Sequence, residues 1–298
     1  MNLYAPKYYS KFHCIADKCK HSCCIGWEID IDENTLNKYK TSTYAYANTV
    51  LHSIDFSGVS HFRLADKERC PHLDKNGLCC IIKSMDEEYL CDICREHPRF
   101  YNYSNRGKEV GLGMACEEAC RIILSSEDFD EFYVVNQLDE DIVACEFDAC
   151  AESLRVYKIL KDNSLSFTEK VELISDFYDI KINATGMSEL LNSLEYLYSQ
   201  DKHLICSVND IGEIRLCNDV RLPRILAYYI YRHCFGNASY EEFCSSLSFS
   251  IFCTMLIAKL SENNDMVEIS RIVSEEIEYS EDNTEAILSY FDNDQVLN

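Results

Sequence analysis

The sequence predicts a mainly α protein: a cysteine-rich N-terminal region over residues 1–125, then a helical domain over residues 126–298, with minor short strands. Three observations carry this. Glycine (9) and proline (4) are rare in the 298 residues, which favours helices over a turn-rich β fold. Helix-start signals recur in the second part, as Ser166-x-x-Glu169 and Ser239-x-x-Glu242 ahead of apolar periodic runs. Cysteines crowd the first part, at positions 14, 19, 23, 24, 70, 79, 80, 91, 94, 116 and 120.

Taken in order, "GWEIDIDENTLNKY" predicts a short strand from Trp27 to Ile31, by alternation of apolar and acidic residues, and a helix starting at an Asp32 cap. "CPHLDKNGLCC" carries a turn signal at Asn76-Gly77, which brings Cys70 and Cys79 together. "MACEEACRIILSS" reads as a helix with Cys116 and Cys120 one turn apart, and "DEDIVACEFDACAESLRVYKIL" as another. In "VRLPRILAYYIYRHCFG", Pro223 suits a first helical turn and Gly236 a stop. "HLICSV" and "EIRLC" suggest a small hairpin. The later cysteines (145, 150, 206, 217, 234, 244 and 253) stand singly among apolar residues and read as small core hydrophobes.

Lys plus Arg total 28 against 51 Asp plus Glu, a formal charge of −23. This argues against a nucleic-acid partner, which calls for clustered basic residues. The bland meaning of the balance is solubility; the functional one is attraction of a basic group. "MNLYAPKYYSKFH" lacks the apolar segment of a secretory signal. The most apolar run, Ile251 to Lys259, is too short to span a bilayer. The expectation is a cytoplasmic protein with no membrane partner and reduced thiols, so metal binding or redox chemistry outranks a disulfide scaffold.

The opening cluster has the spacing Cys14-x4-Cys19-x3-Cys23-Cys24, followed by Cys70-x8-Cys79, Cys91-x2-Cys94 and Cys116-x3-Cys120. Adjacent cysteines do not bridge each other readily, which turns attention to a metal. Structural zinc calls for a closed set of four Cys or His ligands, and paired CxxC knuckles are its strong mark. Only one CxxC occurs, which tilts the reading toward an iron–sulfur cluster held by thiolates. The CxxxCxxC spacing of radical enzymes is absent, since Gly26 stands where its last cysteine would be. His21, His72 and His97 lie beside cysteines and are candidate ligands of a mixed zinc site, against the simpler role of surface or supporting histidines.

"FHCIADKCKHSCCIGWEI", "CPHLDKNGLCCI", "CREHPRFYN" and "MACEEACRIIL" occur in this order. Together they resemble the flagellin lysine-N-methylase family and, more distantly, zinc- or iron-chelating cysteine-cluster proteins. The resemblance covers residues 9–125. It makes the N-terminal region cluster-binding, with Cys14, Cys19, Cys23, Cys24, Cys70, Cys79, Cys94 and Cys116 as the matching cysteines and Cys80, Cys91 and Cys120 as extras. It implies methyl transfer from S-adenosylmethionine to lysines of flagellin, with a [4Fe-4S] cluster; zinc is the alternative metal. No Gly-rich dinucleotide-type turn is present to hold the methyl donor, "GLGMAC" being the nearest approach.

"CREHPRFYNY" is the densest polar–aromatic run. Arg95 and Arg99 are candidates for the donor's carboxylate, with Asn102 and Glu28 as further cofactor contacts. Tyr101 and Tyr103 are candidates to position the lysine. The rival readings are neutralisation of thiolates or helix capping for the arginines, a turn for Asn102 and an exposed strand position for Glu28. Trp27 reads as a core aromatic shielding the cluster, and the tyrosines of "AYYIYRH" as residues straddling core and surface. Two other functions stay open: a non-catalytic zinc- or iron-binding protein, and a redox carrier.

Overall fold

A computed structural model describes residues 1–142, 145–181, 187–208 and 219–296, with side chains to residue 291. The chain forms two compact units, His13–Pro98 and Met1–Phe12 with Arg99–Asn298. The units do not part at 125. The reason is strand pairing: β1 (Asn2–Pro6) runs parallel to β5 (Gly107–Leu112) and antiparallel to β6 (Phe132–Gln137), which ties the N-terminus into the larger unit.

The smaller unit contains α1 (Glu33–Thr41), α2 (Ala47–His52), the two-residue strands β2 (Ile54–Asp55) and β3 (His61–Phe62), α3 (Cys80–Ser84) and α4 (Asp92–Glu96). Helix α1 begins at Asp32, whose Oδ1 accepts from the Thr35 N–H at 2.9 Å. Its Oδ2 accepts from the Asp92 N–H at 3.0 Å, so one carboxylate caps two helices. The segment before α1 is extended, and Ile29 and Ile31 are buried while Glu28 and Asp30 are exposed. Only Asp30 bridges, to His61, so the expected Trp27–Ile31 strand is an extended edge without a ladder.

In the larger unit β4 (Arg99–Ser104) completes a sheet of order β4-β5-β1-β6. The strands are short and the chain is mainly α, as the sequence predicts. The Phe100 ring lies over Gly111 of the next strand, where a Cβ would sit 2.2 Å from it, and meets Tyr228 and Tyr231. The helices are α5 (Glu117–Ser125), α6 (Ala149–Lys161), α7 (Phe167–Tyr178), α8 (Met187–Ser193), α9 (Ser199–Ile205), α10 (Leu222–His233), α11 (Tyr240–Leu260), α12 (Met266–Val273) and α13 (Glu281–Val296). Between α12 and α13 lies a π-helical turn, Ser274–Glu278.

Several starts follow the sequence signals. Ser166 and Glu169 form a reciprocal capping box at α7, and Ser239 accepts from the Glu242 N–H at α11. Pro223 lies in the first turn of α10. Helix α6 takes only the second half of its expected span, because the Asp148 cap, accepting from Ala151, sets its start. "HLICSV" is not a strand; its first residues end α9, and "EIRLC" lies outside the described residues.

The apolar run at Ile251–Lys259 belongs to the 21-residue helix α11, which by length and composition matches a membrane span but is 83% buried within the protein. It packs on α10, whose Tyr228, Tyr229 and Tyr231 are fully buried instead of straddling the surface. Their hydroxyls explain two of the three: Tyr228 donates to Glu278 (2.7 Å) and Tyr231 to Glu109 (3.1 Å). Of the later cysteines, 150, 234, 244 and 253 are buried and 206 is half-buried; Cys145 is exposed, and Cys217 lies outside the described residues.

Candidate metal centre

The smaller unit is built around a core of Ile29, Ile31, Tyr39, Val50, Ile54, Phe62 and Ile81. Cys70 and Cys91 are buried in it, and Cys24, Cys79 and Cys94 pack against it. Four stretches of chain deliver these thiols. Backbone bonding fixes Cys24 beside Cys70, whose N–H donates to the Cys24 carbonyl at 2.8 Å. The turn at Gly77 (φ +76°) reverses the chain between Cys70 and Cys79. The Asp74 carboxylate accepts there from the N–H groups of Asn76 (2.8 Å) and Leu78 (3.0 Å). Cys79 is the N-cap of α3, and Cys91 that of α4, which carries Cys94.

The thiols act on one another electrostatically. Hydrogen bonding from Cys94 lowers the Cys91 pKa, and the same bond, followed by burial, raises that of Cys94. Burial pushes Cys70 up to about 12, with Cys24, Cys79 and Cys91 adding repulsion. Burial also raises Cys79. Cys24 goes the other way, to about 7, through its hydrogen bond with Cys23. Tyr39 lies 1% exposed between its bond to the Tyr89 carbonyl (2.7 Å) and the Cys91 sulfur (3.7 Å). As thiolates these side chains would repel one another, and a bound cation would relieve that repulsion. Among the described residues, no three His, Cys, Asp or Glu side chains converge as a metal site.

Of the eight cysteines matched to the family pattern, four lie in or against this one core: Cys24, Cys70, Cys79 and Cys94. Cys14 and Cys23 are exposed and Cys19 is half-buried, its thiol donating to the His21 carbonyl at 3.2 Å. Cys116 belongs to the larger unit, as N-cap of α5. Adjacent Cys23 and Cys24 divide, with only Cys24 packing inward. Trp27 is half-buried and outside this core. His72 is 1% exposed, and both ring nitrogens are engaged, by Tyr46 Oη (3.1 Å) and Ser53 Oγ (2.9 Å). Burial lowers its pKa to about 4, and with no lone pair left it supports Phe62 and Tyr46 instead of holding zinc.

The remaining candidates are spread over both units. Glu28 is exposed, 3.6 Å from His61 Nδ1. Arg95 pairs with Asp92. Arg99 Nε donates to Tyr9 Oη at 2.9 Å. Asn102 is a positioning residue: its Nδ2 donates to the Tyr231 and Arg232 carbonyls at 3.3 and 2.7 Å, holding the end of α10 on the sheet. Tyr101 and Tyr103 are exposed on β4, and their rings bracket Lys108 Nζ at 5.2 and 5.1 Å.

Over 130 residues, 41% of this chain, the sequence is 29% identical to the flagellar biosynthetic protein FliU of Salmonella muenchen, covering 77% of that protein. Over 130 residues it is also 28% identical to lysine-N-methylases of Salmonella typhimurium and Salmonella choleraesuis. Over this stretch the chain is similar to lysine-N-methylases. The match spans 32% of the length of each of those two methylases. No family model and no solved structure matches the chain.

Against the methylase pattern, the residue that sequence reasoning missed is Cys91. It is not among the matched cysteines, yet it is 1% exposed within the core of the smaller unit. The signal was present: Cys91 and Cys94 make the chain's single CxxC.

Proposed function

We propose that this chain is a protein-lysine N-methyltransferase acting on flagellin, with S-adenosylmethionine as donor and a [4Fe-4S] cluster held by the smaller unit. The observation that carries the reading is the likeness to lysine-N-methylases together with the gathering of five thiols in one core. Cys91 with three of Cys24, Cys70, Cys79 and Cys94 would supply the ligands. An iron–sulfur cluster bound there would supply electron transfer, or a Lewis-acid iron toward the donor's amino acid end.

The chain's own residues have a separate task. A lysine amine attacks a sulfonium methyl only when neutral, and its ordinary pKa is about 10.4. The N–C bond forms as the C–S bond breaks, the thioether leaves, and the amine proton passes to solvent or a base. Tyr101 and Tyr103 already hold an ammonium, that of Lys108, and the same ring pair suits an arriving lysine. Arg95, Arg99 and Glu28 belong to the proposal as contacts for the methyl donor.

The test is transfer of labelled methyl from S-adenosylmethionine to co-purified flagellin by air-free protein. Label on flagellin lysines, lost in Cys91→Ser, is the expected result; unlabelled flagellin with cluster-loaded protein overturns the reading. A second reading, a non-catalytic zinc or iron protein, is favoured by one observation: the thiols sit inside the small core and would brace it. Colourless, zinc-loaded, inactive protein would decide for it.

A further inference from the structure

In the larger unit, a cavity of about 760 Å³ opens between the end of α6, the start of α7 and the start of α10. Its size is that of small-molecule sites. Phe129, Leu160 and Phe167, all buried, give it an apolar wall. Lys170, on α7, also lines it and is only 5% exposed.

Lys170 is an exception among the buried cations of this chain. Arg106 is paired with Glu109, Arg232 with Glu278, and Arg271 with Glu268 and Glu275. Among the described residues Lys170 has no carboxylate within ion-pair distance and no hydrogen-bond acceptor. The carboxylate that acts on it electrostatically, Asp162, is engaged by the Ser164 N–H (2.9 Å) and hydroxyl (2.6 Å). Burial accordingly lowers the Lys170 pKa from its ordinary value. A buried ammonium without a counter-charge is costly, and proteins keep one only where something compensates it.

The second cation of the cavity is Arg224. Its Nη1 donates to the Leu124 carbonyl at 2.6 Å, and among the described residues no carboxylate pairs with it at ion-pair distance. Of the lining acids, Glu127 is exposed and makes no side-chain ion pair among the described residues, and the other two are engaged. Asp219 is held in the fork of Arg221 (2.9 and 2.6 Å), and Glu169 accepts from the Ser166 N–H (2.6 Å). Lys161, the third basic residue, is used by Asp130 (2.6 Å). Among the described residues, the cavity thus holds two cations without a carboxylate at ion-pair distance, Asp162 acting on Lys170 and Asp219 on Arg224 from farther away.

We propose that this cavity binds the oxyanion group, carboxylate or phosphate, of a small molecule whose apolar body rests on Phe129 and Phe167, with Lys170 and Arg224 as its counter-charges. The site is independent of the thiol group and of the methyl-transfer reading. Calorimetric titration of the full chain with phenyl phosphate, benzoate and inorganic phosphate, at fixed ionic strength, tests it. Saturable binding of phenyl phosphate or benzoate is expected, whichever binds identifying the oxyanion, with bare phosphate weaker. Binding should weaken at least tenfold in Lys170→Gln and in Arg224→Gln, both with unchanged circular dichroism. Lys170→Met, which keeps the packing volume, serves if the glutamine variant does not fold. No saturable binding of any probe, or unchanged affinity in the Lys170 variant, overturns the proposal.

Discussion

The two units of this chain solve the problem of stability differently. The larger unit buries a continuous apolar core, with α10 and α11 almost wholly inside. Its internal polar groups are answered one by one. Glu278, fully buried, accepts from Tyr228 (2.7 Å), His233 (2.9 Å) and Ser274, and pairs with Arg232 at 3.2 Å. Burial works to raise its pKa, but Arg232 and His233 hold it below the ordinary carboxylate value. The smaller unit has short helices, two-residue strands and a modest core in which thiols occupy places that aliphatic side chains fill elsewhere. A domain of that size with so little apolar burial gains from a cross-linking centre, and thiols that repel one another are what such a centre would bind. The lesson is that cysteine means two things in one chain: an inert small hydrophobe at Cys253 and a mutually coupled donor at Cys91.

The comparison can be broken most directly in the smaller unit. Cys91→Ser should abolish metal retention and unfold the smaller unit while the larger unit keeps its helical signal. The loss is on the order of 10 kcal/mol of metal-linked stability, read by chelator titration and hydrogen exchange. Retained metal with uniform exchange would remove the distinction between the units.

The next effect belongs to the larger unit. Glu278→Gln leaves Arg232 as a buried cation without its counter-charge and should cost about 3 kcal/mol in denaturant unfolding, with metal content unchanged. A loss of metal in this variant would show that the units are not separately stabilised.

A pH dependence follows from Glu276. It is 1% exposed, and burial raises its pKa to about 7 despite the N–H groups of Leu197 (2.7 Å) and Tyr198 (3.1 Å). An acid with a folded-state pKa above its unfolded value binds more protons when folded. Its contribution is therefore full below pH 4.5 and lost as pH rises through about 7. The larger unit should melt at lower temperature at pH 8 than at pH 6, and Glu276→Gln should flatten that difference. The smallest effect is Ser166→Ala, which removes one half of the α7 capping box and should cost about 1 kcal/mol.

Sequence reading reached the local signals best. Caps at Asp32, Ser166 and Ser239, the Gly77 turn and the helix through Cys116 and Cys120 were all legible, because each is settled within a few residues. The sheet was not. Its central pair joins Asn2 to Gly107 across the whole smaller unit, and no local pattern announces a partner so distant. The thiol group was half legible for the same reason. Spacing singled out the cysteines, but which of them turn inward depends on Tyr39, Asp32 and the Cys24–Cys70 backbone bond. Asn102 and His72 showed the converse: polar residues beside a motif that were spent on holding α10 and on bonding Tyr46 and Ser53.

The most direct test of this account is an iron, zinc and sulfide assay on air-free protein, run on the parent chain and on the Cys91→Ser and Cys14→Ser variants. The account predicts a bound metal that survives the change at exposed Cys14 and disappears with Cys91. A parent chain without metal, folded and as stable as its Cys91→Ser variant, would contradict it.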